Sequence, residues 1–277
     1  MHYITQFGFW TLSLITKIIP INWMIAIVYR LLCLVKYRKQ VINKNFNNTT
    51  AHQIYKGSKE QFYKDNIRNV ARVMVESLYS ESVDIDEVTY WGVADLEARC
   101  RETNGVLLLA SHYGNWELAC AHLPIHTDLP CYGVYKPLKN KAADESVLQR
   151  RSQHGLQLVP MKQIGRVILE HKRDKIAAIY ILISDQNPNS KNSIIWADFM
   201  GIKSAFFNGP DKLMQRYGFH VSYMRTEVGD ELNRYEIRFD DLDGQNVTQS
   251  YANHLQSQLE KDPTKWLWSH KRWKRNF

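Results

Sequence analysis

Gly105-Val-Leu-Leu-Leu-Ala-Ser-His-Tyr-Gly-Asn-Trp-Glu117 is the stretch that decides how this chain folds. Its first half is a short, continuous apolar run behind a glycine-bearing turn, the pattern of a strand buried on both faces of a sheet. Its second half changes character at once. His112 follows the run, Gly114 turns the backbone, and a helix starts near Asn115. A polar loop leaving the end of a buried strand is where open α/β sheets place their active sites.

Outward from that segment, strands fit at 84–90, 131–135, 156–160, 176–184, 220–226 and 235–240. Helices fit at 94–101, 115–123, 142–153, 163–171, 209–217 and 247–260. A long helix over 52–80 is expected from Ile54, Phe62, Ile67, Val70, Val73, Met74 and Leu78, which recur at helical spacing. Strand and helix alternate, so the fold class is α/β, with a largely parallel or mixed central sheet flanked by helices. No linker-like stretch divides 38–277. The 277 residues, with 44% apolar, suit one large domain with a sizeable core.

The N-terminal segment, 1–37, reads differently. Phe7 to Val35 is strongly apolar, interrupted by Lys17, Pro20, Asn22 and Arg30. It lacks the basic start and small-residue cleavage site of a signal peptide. No charge-free stretch reaches the ~18 residues of a clean spanning helix. A single tilted span with Lys17 near an interface fits, as does a helix pair broken at Pro20 that dips into one leaflet. A helix pair covering the core of a soluble protein is the plainer alternative. Trp10 and Trp23, with the basic flank Lys36, Arg38, Lys39 and Lys44, favour membrane anchoring, with everything after Lys36 on the cytoplasmic side.

The charge of +8 favours anionic partners, without choosing among nucleic acid, acidic protein and anionic lipid. Cys33, Cys100, Cys120 and Cys131 show no metal-ligand spacing and read as reduced core residues. No phosphate-binding glycine loop and no ligand cluster is evident, so no metal and no cofactor is expected.

His112 and Glu117 are the candidate chemistry. A hydroxyl nucleophile needs a base that titrates near neutral pH, and imidazole supplies one. With Gly114 making the turn, a glutamate in the first helical turn can reach back to orient the ring. Spacing alone is weak, because ten histidines and 28 acids in 277 residues give roughly one such pair by chance. The order strand, His, Gly, helix is what sharpens it.

At this point the sequence resembles a known family, the late acyltransferases of lipid A biosynthesis, within the wider lysophospholipid acyltransferase group and its His-x4-Asp/Glu motif. Six landmarks agree in order: Leu107 to Glu117; Tyr135-Lys-Pro-Leu-Lys-Asn140; Arg150-Arg-Ser-Gln-His-Gly155; Asp185-Gln186; Phe199-Met-Gly201 with Asn208-Gly-Pro210; and Trp266-Leu-Trp-Ser-His-Lys-Arg-Trp273. The resemblance implies a glycerolipid-acyltransferase-like fold. It also implies acyl transfer from acyl carrier protein or acyl-CoA to a hydroxyl of an anionic glycolipid, at the bacterial inner membrane with the active domain on its cytoplasmic face.

In that reading His112 is the general base, Glu117 orients it, and Arg151 stabilises the oxyanion or grips a phosphate, with Arg150 as its rival. Asn115 would position the acceptor or polarise the thioester carbonyl. Asp185 and Gln186 would contact substrate, although a turn-capping role suits Asp185 equally. The arginine segment is atypical, which leaves the acceptor open to another lipid, such as an aminolipid or a pigment precursor. A noncatalytic lipid-binding protein on the same fold is the second class. The aromatic and basic residues from Trp266 to Arg275 favour anionic lipid, against a docked C-terminal helix; nothing else points to nucleic acid.

Overall fold

A computed structural model describes residues 19–79, 88–188, 193–229 and 234–276. Its first helices are α1 (Ile21–Leu34), α2 (Lys39–Asn47), α3 (Ala51–Ile54) and α4 (Lys59–Leu78). The single helix expected over 52–80 is therefore two, interrupted around Gly57. Ser58 restarts it: its Oγ accepts the Gln61 N–H at 3.1 Å, a capping bond that satisfies a free first-turn donor.

Strand and helix then alternate: β1 (Val88–Trp91), α5 (Val93–Thr103), β2 (Val106–Ala110), α6 (Trp116–Ala121), β3 (Cys131–Tyr135), α7 (Lys141–Arg151), β4 (Gln157–Pro160), α8 (Ile164–Arg173) and β5 (Ile179–Ile183). A hairpin of β6 (Ile194–Phe199) and β7 (Ile202–Phe207) follows, then α9 (Gly209–Tyr217), β8 (His220–Val228), β9 (Tyr235–Asp241) and α10 (Val247–Lys261). The hairpin is absent from the sequence reading. It turns on Met200 and Gly201, both at positive φ (54° and 76°), the geometry that a two-residue hairpin needs.

Among the described residues the main sheet runs β1-β9-β8-β2-β5-β3-β4. It is mixed: β8 and β9 are antiparallel and the other neighbours are parallel. β2 sits at its centre, every residue buried. Its side chains alternate between two cores, as a strand's two-residue period requires. Leu107 and Leu109 join Phe62, Tyr180 and Tyr251 on one face, while Val106, Leu108 and Ala110 join Leu96, Cys100 and Leu118 on the other.

The N-terminal expectation needs correction. α1 is 14 residues long, or about 21 Å at 1.5 Å per residue, against a hydrocarbon layer of about 30 Å. Among the described residues no helix is long and apolar enough to cross a membrane. The anchoring span expected within 1–37, and the inner-membrane placement built on it, are overturned by that finding. Pro20 caps the start of α1, and Tyr29, Leu32 and Cys33 pack against the core. Trp10 and Lys17 lie outside the described residues.

The C-terminal cluster also lies elsewhere than expected. Trp266, Trp268, Trp273 and Arg272 are buried. Arg272 donates to the Ala205 carbonyl at 2.6 Å and lies 4.3 Å over the Phe206 ring, and burial pushes its guanidinium down to about 10. After α10 the chain is held as a strap by asparagine amides: Asn66 to the Thr264 and Trp266 carbonyls, Asn69 to Lys265, and Asn45 to Trp268 and His270, all within 2.9 Å.

Candidate active site

β2 and β5 are parallel neighbours, with Ala110 opposite Ile183. Two residues beyond each lie His112 and Asp185, so the register alone brings both to the same level at the carboxyl edge of the sheet. Their side chains meet there. His112 Nδ1 is 2.6 Å from Asp185 Oδ1, and the His112 backbone N–H donates to Asp185 Oδ2 at 2.8 Å. Trp266, from the C-terminal strap, donates its Nε1–H to the same oxygen at 2.7 Å. Asp185 is almost fully enclosed, at 1% exposure. Burial pushes its carboxyl up; the His112 imidazole, with the His112 and Trp266 hydrogen bonds, outweighs burial and holds it below the usual carboxylate value.

A carboxylate can only accept, so Asp185 favours the tautomer with the proton on Nδ1, which leaves Nε2 able to take one up. Gln186 Nε2 lies 3.1 Å from that Nε2. The Trp116 ring stands edge-on to the imidazole, centroids 4.7 Å apart. The strap closes the other side: Leu267 N–H donates to the His112 carbonyl and Gly114 N–H to the Lys265 carbonyl, both at 3.0 Å. Gly114 has φ +59°, and a Cβ there would meet Val228 at 2.8 Å. Only glycine lets the loop turn this tightly beneath β8.

Glu117 is engaged elsewhere. Its carboxylate accepts Arg151 Nε–H at 2.7 Å and Arg151 Nη2–H at 2.6 Å, a bidentate fork, and Trp116 Nε1–H at 3.2 Å. Burial alone would lower the Arg151 guanidinium; the Glu117 carboxylate outweighs it and raises it. The loop thus carries two pairs, His112–Asp185 and Glu117–Arg151, where the sequence suggested His112 with Glu117.

Asn115 is fully buried and caps α6, its Oδ1 accepting Leu118 N–H at 3.1 Å. Its amide donates to Glu76 at 2.9 Å, and Glu76 also takes Tyr235 and Arg72 at 2.5 and 2.7 Å. Asn115 and the buried Glu76 therefore fix where the helix begins. Arg150 lines a cavity beside Arg151.

That cavity measures about 450 Å³ and runs between α4, α6 and α7, within the range of ligand sites. Glu117, Arg151 and Trp116 form one wall, and Val70, Val73 and Leu118 make much of the rest apolar. His112 stands one ring behind it, separated by Trp116.

The bacterial lipid A biosynthesis acyltransferase model matches residues 2–275. The chain belongs to that family. No curated protein matches it. For this member of the family, the sequence alone named His112, Asp185, Glu117 and Arg151 without their pairing. It missed Trp266, Trp116 and Glu76. Trp266 had a signal, since it opens the closing tryptophan motif; Glu76 had none, being one acid among 28.

Proposed function

We propose that this acyltransferase moves a fatty acyl group from the thioester of acyl carrier protein or acyl-CoA to a hydroxyl of a lipid A precursor or related glycolipid, with His112 as general base. The observation that carries it is the His112–Asp185 pair at 2.6 Å, beside an apolar cavity edged by a guanidinium.

The acceptor hydroxyl takes the place of Gln186 at His112 Nε2 and gives up its proton there. Its oxygen forms a bond to the thioester carbonyl carbon. Asp185 stabilises the imidazolium that results, as in other acid–imidazole pairs. The carbonyl oxygen becomes an oxyanion, while Arg151, held by Glu117 in the cavity wall, grips an anionic group of the substrate in ground and transition state alike. The carbon–sulfur bond then breaks, and the thiolate leaves with the proton from His112. In this scheme Asp185, and not Glu117, orients the ring. A net charge of +8 suits both an acidic carrier protein and a phosphorylated acceptor.

Purified enzyme given an acyl carrier protein thioester and a lipid A precursor should form the acylated product by mass spectrometry. His112→Ala should lower the rate about 10²–10⁴-fold. A variant that keeps wild-type turnover removes His112 from the chemistry.

A further inference from the structure

The lining of the cavity carries two histidines that the transfer step does not use. His122 follows α6 directly and is 0% exposed, yet neither of its ring nitrogens has a hydrogen-bond partner. His154, three residues beyond Arg151, presents a buried Nε2 that is also unpaired. Both rings line the cavity. They meet edge to face, with centroids 4.5 Å apart. Around them the wall is aliphatic, including Val73, Leu118, Ala121 and Val147.

Buried polar atoms are nearly always satisfied, so an unpaired pair in the lining of a cavity marks where a ligand atom belongs. The chemistry of that atom follows from the pair. Burial holds His122 down to about 4, so it is neutral at physiological pH. A neutral imidazole offers one N–H and one bare nitrogen. A carboxylate or phosphate only accepts, so it would leave the bare nitrogen unpaired and bury a charge among aliphatic side chains. A carbonyl only accepts and an ammonium only donates. A hydroxyl does both, and it can ride on an apolar chain through aliphatic walls.

We propose that the cavity takes an aliphatic chain bearing a hydroxyl, and that His122 and His154 recognise that hydroxyl. This rests on the acyl transfer proposed above, with the donor's acyl chain lying in this apolar cavity. His122 lies five residues beyond Glu117, about 7.5 Å along the helix axis, so the hydroxyl sits along the chain and away from the reacting carbonyl.

The deciding experiment is displacement of a fluorescent fatty-acid probe from the full-length protein by dodecanoic acid and by dodecanoic acids hydroxylated at successive positions. One hydroxylated isomer should displace the probe at a concentration at least about tenfold lower than the plain acid, the scale of a satisfied buried polar group. In His122→Leu that advantage should vanish, and in His154→Leu it should shrink. His122→Leu replaces orphaned polar atoms with apolar ones in an apolar wall, so its melting temperature should not fall; should it misfold, His154→Leu decides alone. Equal displacement by all the acids, or a preference that survives both substitutions, overturns the hydroxyl site and leaves the acyl-chain reading standing. Failure of every acid to displace the probe overturns both.

Discussion

Asp185 and Glu117 each hold a cationic or ionisable partner at 2.6 Å, in opposite surroundings. Asp185 is sealed under the C-terminal strap, with its oxygens taken by His112 and Trp266. Glu117 and Arg151 keep 26% and 31% of their side chains exposed, in the wall of the cavity. A buried, fully hydrogen-bonded carboxylate fixes a geometry and does not release it. A half-exposed pair can exchange partners with a substrate at modest cost, because exposed ion pairs are worth only about 0–1 kcal/mol. On the mechanism proposed above, the two pairs divide the work, with proton handling inside and substrate contact at the wall.

The largest test of that division is Asp185→Asn. Asparagine keeps the shape and can still accept one bond. Its NH2 cannot accept the Nδ1 proton, which favours the tautomer that puts the proton on Nε2, where the base is needed. Turnover should fall on the order of 10³–10⁴-fold, the scale known for such tautomer losses, with KM nearly unchanged. Steady-state kinetics checks it. Near-normal turnover would reduce Asp185 to a loop clamp.

Acid stability sharpens the comparison next. Each region hides one histidine that burial holds down to about 4: His270 behind the buried pair, His122 behind the cavity. Below about pH 6.5 the unfolded chain takes up protons that the folded rings refuse. Stability is therefore complete above 6.5 and drains away as pH falls toward 4, by at most about 3 kcal/mol per ring. Asp185 behaves oppositely: its carboxyl is held low, so its contribution persists until pH falls below about 3.9. Between 6.5 and 4 the histidines decide. Denaturant melts across that window should show a flatter acid limb for His122→Leu. His270→Leu should flatten it too, and should lose stability at neutral pH, because His270 Nε2 accepts the Asn187 N–H at 3.3 Å. Superimposable wild-type and His122→Leu curves would refute a buried neutral ring.

These two regions are not equally legible in the sequence. The apolar run of β2, the turn at Gly114 and the imidazole after it are local facts, readable from neighbours in the chain. The partner of His112 is not local. Asp185 lies 73 residues on, and what joins them is the register of two parallel strands, which no spacing encodes. Glu117, five residues away, looks nearer than it is because a helix start hides which way a first-turn side chain points. The β6–β7 hairpin escapes for a related reason: Phe199-Met-Gly201 reads as a motif and not as a turn. The C-terminal tryptophans and Arg272 look like a surface because their composition is amphipathic, and composition does not reveal that three asparagines bind the strap's carbonyls. His122 and His154 give no signal at all, since a histidine means little until it is seen buried and unpaired in the lining of a cavity.

The smallest expected effect is also the one that most directly opposes spacing to geometry. Glu117→Gln keeps the length of the side chain and one acceptor oxygen, so Arg151 loses half its fork but not its position. If Arg151 meets substrate from the wall, binding weakens while the base is untouched. KM should rise about tenfold and turnover should stay within a few-fold, the signature of an interaction made equally in the ground and transition states. Arg151→Lys should weaken binding at least as much, because an ammonium cannot form the bidentate fork. A turnover loss of the Asp185→Asn scale in Glu117→Gln, with KM held, would reverse the assignment. It would mean that Glu117 leaves Arg151 during the reaction to reach His112, and that the five-residue spacing, not the resting hydrogen bonds, describes the working site.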